Sequence, residues 1–67
     1  MGTESEIYRT ATLLIEEYGE MAAPAAFIRA DQLYERGDMP GRRVWLRIAR
    51  ITEDLLSESV PGNSSIH

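Results

Sequence analysis

Apolar residues recur along this chain in three runs, each at helical spacing. In the first, Ile7, Ala11, Leu14, Ile15 and Tyr18 fall at i, i+4, i+7, i+8 and i+11, one stripe of a 3.6-residue helix. Tyr8 borders that stripe. The spacing predicts a helix over about 5–18, capped by Thr3 or Ser5 and stopped at Gly19. A second stripe holds Ala23, Ala26, Phe27, Ala30, Leu33 and Tyr34, predicting a helix over about 23–36 after a short linker, Glu20–Ala23. Pro24 suits its first turn, and the alanines make its face shallow enough for a neighbouring helix to come close. The third stripe is Val44, Trp45, Ile48, Ile51, Thr52 and Leu55, with Ala49 and Leu56 at its edge, and predicts a helix over about 39–57.

Between the second and third runs lies Arg36-Gly37-Asp38-Met39-Pro40-Gly41. A glycine just past a helix takes positive φ without a Cβ clash. The Asp38 carboxylate can then accept from the open N–H groups of the next helix, and its charge suits that end. Pro40 falls in the first turn, where its missing N–H breaks no bond. Gly41 shares a side with Val44, Trp45 and Ile48, so the expectation is that it lets a neighbouring backbone approach. These signals predict an αα-hairpin corner. Neither glycine-rich phosphate-binding pattern, G-x-x-x-x-G-K-[ST] or G-x-G-x-x-G, occurs.

The fold class expected is all-α: a small three-helix bundle over residues 1–57 and a disordered C-terminal tail over 58–67. The tail is polar and aperiodic from Ser57 onward. Trp45, the largest apolar side chain, is expected to centre the core against Phe27 and the first helix.

With 67 residues the chain is one domain of marginal stability. It has no cysteine, and its one histidine is His67, so disulfides and a His/Cys metal site are not expected and no cofactor is implied. Met1–Glu6 is acidic and polar rather than signal-like, and no apolar run approaches the roughly 20 residues of a membrane span. A cytoplasmic protein of bacterial type is the expected setting.

The net charge of −4 argues against general nucleic-acid affinity. The charge is unevenly spread: residues 36–50 hold five Arg against Asp38 alone, while the first 35 hold seven acids against two Arg. The acidic remainder of the same chain is the simplest partner for that basic middle. Arg43, Arg47 and Arg50 form a row at i, i+4 and i+7, continued by Asp54. As a solvated face the row is unremarkable. As a recognition strip, its guanidinium forks suit carboxylates and phosphates, and a helix-turn-helix would set it in a major groove.

Leu13, Ile28 and Leu46 each point away from the stripe of their own helix. Single exposed apolar residues are ordinary, but three on one surface mark an interface. Catalysis finds no support. Glu16 and Glu17 are adjacent and project about 100° apart, and the serines of the tail have no histidine base in a fixed place.

The order Ala11, Leu14-Ile15, Gly19-Glu20, Ala26, Arg29-Ala30-Asp31-Gln32-Leu33, Gly37-Asp38, Gly41, Val44-Trp45 and Ile48 resembles a family of short alphaproteobacterial helical proteins. Its marks are an Arg-Ala-Asp-x-Leu segment, then Gly-Asp-x-x-Gly, then a tryptophan. The resemblance covers roughly residues 7–56. The family is a domain of unknown function, so the resemblance implies a small helical protein and brings no functional residue with it.

The reading is a non-enzymatic protein–protein interaction module, with a homodimer as one form. Its candidate surfaces are Leu13, Ile28 and Leu46, and Arg43, Arg47 and Arg50. The alternative is a helix-turn-helix-like, nucleic-acid-linked regulator using the arginine row. No membrane or small-molecule partner is implied.

Overall fold

The computed structural model of the chain describes residues 3–58. It is all-helical, and among the described residues there is no strand. Helix α1 spans Glu4–Tyr18, a single 3₁₀ turn covers Gly19–Met21, α2 spans Ala22–Glu35 and α3 spans Met39–Glu58. Glu58, expected in the tail, is the last residue of α3, and the rest of that tail, 59–67, lies outside the described residues.

Thr3 caps α1: the Glu6 N–H donates to Thr3 Oγ1 at 3.3 Å, and Glu4 and Glu6 bring negative charge to the first turn. At the other end Gly19 takes φ 59° and ψ −127°, a conformation closed to residues with a Cβ, while its N–H still donates to Ile15 O. The linker expected at Glu20–Ala23 does not form. Ala22 N–H bonds back to Gly19 O, closing the 3₁₀ turn, and α2 starts directly at Ala22. The chain is thus helical from Glu4 through Glu35, turned at Gly19 rather than interrupted. Two helical stretches, 4–35 and 39–58, replace three elements separated by loops.

Arg36–Asp38 forms the second turn. Asp38 N–H donates to Leu33 O and Gly37 N–H to Tyr34 O, both at 2.9 Å, with Gly37 at φ 79°. This is the Schellman pair that satisfies the last carbonyls of a helix. Asp38 then serves α3 at once: its Oδ1 accepts from Gly41 N–H at 3.0 Å and its carbonyl from Arg42 N–H at 3.0 Å. One residue closes one helix and opens the next, so α3 folds back along α2 in the most extensive of the interhelical seams.

The core is built of small side chains. Ala11, Ala22, Ala23, Ala26, Ala30 and Ala49 are buried with Ile7, Leu33 and Ile48. Thr52 is fully buried, and its hydroxyl donates to Ile48 O at 2.7 Å. Two expectations, for Trp45 and Gly41, are corrected here. Trp45 packs against the core but is only partly buried. An alanine face on α2 is too shallow to receive an indole, which is displaced to the edge. Tyr18 and Tyr34 stand at the ends of their stripes, 51% and 57% exposed, with hydroxyls that favour water. Gly41 makes room for the Asp38 carboxylate, not for a neighbouring backbone.

Candidate functional site

The seam between α1 and α2 is the least extensive of the three, and an open groove of about 310 Å³ runs between them. Leu14 and Tyr18 line one wall, Ala25 and Ile28 the other, and Trp45 of α3 closes it from below. Arg29 and Gln32 complete the lining. The local sequence explains this arrangement. Gly19 turns the chain so that the end of α1 stands beside the start of α2. Ala22, Ala23, Ala26 and Ala30 of α2 are buried with Leu33, and Phe27 packs against the core, while Ile28 is left to the groove.

Arg29 is the sole charged residue lining the groove. Its guanidinium carbon lies 6.0 Å from the Trp45 ring centroid, a cation–π contact that covers part of the indole. Its Nη1 donates a long bond, 3.4 Å, to Gln32 Oε1. The groove is therefore apolar, aromatic at its base, and edged by one cation with donor capacity left over.

Of the apolar residues singled out by pattern, Ile28 is 58% exposed and lines the groove. Leu13 is 52% exposed on α1, about 100° around the helix from Leu14, and does not line it. Leu46 is partly buried and does not line it either. Pattern reading set Tyr18 in the stripe of the first helix and did not single out Met21; Tyr18 is exposed and lines the groove, while Met21 is 62% exposed and does not line it. A signal for Met21 was available, since it lies two turns before Ile28 at i, i+7.

The arginines divide. Arg47 Nη2 donates to Glu4 Oε2 at 2.7 Å, joining α3 to the start of α1. Arg42 lies over the Tyr34 ring at 5.2 Å. Arg43 and Arg50 are exposed. Among the described residues no group of three or more His, Cys, Asp or Glu side chains is placed to hold a metal ion. No described helix is long and apolar enough to cross a membrane.

Compared with known proteins, the chain matches no family model, no curated protein and no solved structure.

Proposed function

We propose that this chain is a protein–protein interaction module, a three-helix bundle whose docking surface is the α1/α2 groove. The observation that carries the reading is the exposure of Ile28 and Tyr18 on the walls of a groove that Trp45 also lines. Water-exposed side chains of that size, gathered in one place on a small domain, are what a partner covers. The resemblance to the alphaproteobacterial family remains part of this proposal, carried by the ordered set of motifs between Ala11 and Ile48.

The helix-turn-helix alternative draws less support. Arg47 is engaged by Glu4, and Glu53 and Asp54 continue the exposed face of α3, so the cationic field is short and partly neutralised.

The test is a benzophenone photo-crosslinker substituted for Ile28, with Arg50 as the control position, irradiated in the source cell. Adducts formed at position 28 and not at 50 are the expected result. Equal labelling at both positions, or none at 28, would remove the docking surface from consideration.

A further inference from the structure

We infer that the groove receives an acidic amphipathic helix of the partner protein, which sets a carboxylate against Arg29 and apolar side chains against Leu14, Ile28 and Trp45. The inference rests on the interaction reading and states the chemistry of the partner. Charge complementarity carries it. Every residue lining the groove is uncharged except Arg29. Arg29 is exposed, and among the described residues no carboxylate forms an ion pair with it; the ion pair formed there is Arg47–Glu4.

The sequence around Arg29 accounts for this. On a helix, a charge pairs with residues three or four positions away. For Arg29 those positions hold Ala25, Ala26, Gln32 and Leu33. What Arg29 does hold is weak. Its contact with Trp45, 6.0 Å to the ring centroid, lies at the outer limit of a cation–π interaction. Its bond to Gln32 Oε1, at 3.4 Å, is longer than a well-formed hydrogen bond. N–H groups of the guanidinium are left over to donate.

A partner that covers Ile28 and Trp45 also takes water from Arg29, because all three line one groove. A guanidinium that loses water without gaining an acceptor is costly to cover. A purely apolar segment is therefore a poor occupant. A segment that adds a carboxylate to its apolar residues is a good one, since the guanidinium fork matches that group. A helix supplies the spacing, because residues three or four apart share a face. An amphipathic helix laid in an apolar groove is a common mode of recognition. The lone cation of the groove and the net charge of −4 disfavour a polyanion here.

Titration of the full chain with synthetic helical peptides tests the proposal. Trp45 is the one tryptophan of the sequence and reports from the groove itself. The peptides lack tryptophan, share a leucine face, and differ at one position a turn along it: glutamate, glutamine or lysine. The glutamate peptide should shift Trp45 emission to the blue and saturate. The glutamine peptide should bind about tenfold more weakly, and the lysine peptide more weakly still. Arg29→Glu should reverse the order, so that the lysine peptide binds best, with unchanged helical circular dichroism. Arg50→Glu, outside the groove, should leave the order as it is. Equal binding of the glutamate and glutamine peptides, or an order that Arg29→Glu does not reverse, overturns the carboxylate contact. No shift of Trp45 emission with any peptide overturns the acidic helix as occupant. If the crosslinker at position 28 then still labels another protein, the interaction reading survives; if it labels nothing, both fall.

Discussion

A Cβ added to Gly41 would stand 2.6 Å from Oδ2 of Asp38. The same carboxylate, through Oδ1, accepts the Gly41 N–H at 3.0 Å. Cap and glycine are thus one device: the side chain that satisfies the open end of α3 occupies the volume that a larger residue would need.

The two positions are therefore expected to be coupled. In an exposed helix, glycine to alanine gains about 1 kcal/mol. Gly41→Ala should gain far less here, because the carboxylate must shift off its acceptor geometry. In an Asp38→Ala background, where no carboxylate stands in the way, the gain of about 1 kcal/mol should reappear. Urea denaturation of the four species gives the coupling directly, and simple additivity would show the two residues to be independent.

Gly37 holds φ 79° so that Asp38 N–H and Gly37 N–H can reach Leu33 and Tyr34. Gly37→Ala forces a Cβ into the left-handed region and should cost about 1–2 kcal/mol. For a domain of this size that lowers the melting temperature by about 4–8 °C per kcal/mol. No neighbour lies within 4 Å of the added Cβ, so the loss is conformational. Asn, which tolerates this region better, should recover part of it.

Thr52 is buried with its hydroxyl donated to Ile48 O at 2.7 Å. Thr52→Val keeps the shape and leaves Ile48 O its helical partner, so stability should change by less than about 1 kcal/mol. Thr52→Ala empties part of the core and should destabilise by more than the valine variant. Thermal denaturation of both separates shape from hydrogen bonding. A large loss for valine would assign the hydroxyl a stabilising role that helix geometry does not.

The Arg47–Glu4 pair is short, at 2.7 Å, but its side chains are 55% and 82% exposed. Water screens such a pair, and a double-mutant cycle with Arg47→Ala and Glu4→Ala should give a coupling below about 1 kcal/mol, vanishing at high salt. A larger, salt-resistant coupling would mean that the start of α1 depends on this contact for its docking.

Ile7 is the largest apolar side chain that is fully buried. Ile7→Ala should cost about 2–5 kcal/mol, a large share of the stability of a domain this small. Trp45 is only partly buried, so Trp45→Ala should cost less than the roughly 3–5 kcal/mol of an interior tryptophan. Circular dichroism melts that rank Trp45→Ala above Ile7→Ala would return the indole to the centre of the core.

Much of the helical order was legible because helices are local. Stripe spacing, the stop at Gly37 and the cap at Asp38 depend on residues within a turn or two of one another. The expected spans 5–18, 23–36 and 39–57 lie within a residue of Glu4–Tyr18, Ala22–Glu35 and Met39–Glu58. The linker before Pro24 misled, because Gly19 turns the chain within a single 3₁₀ bend and needs no loop. Of the candidate site, Ile28 was visible as an off-stripe residue. Its company was not, since Leu14, Tyr18 and Trp45 belong to two other helices.

The order of residues alone determined where the chain is helical and where it turns, since caps, stops and 3.6-residue stripes act between near neighbours. Tertiary structure alone decided which side chains reach the middle. Alanines on α2 admit α3 closely and leave no depth for an indole, so Trp45 lies at the base of a groove, beneath Arg29. That outcome depends on the separation of two backbones, a quantity no single stripe contains.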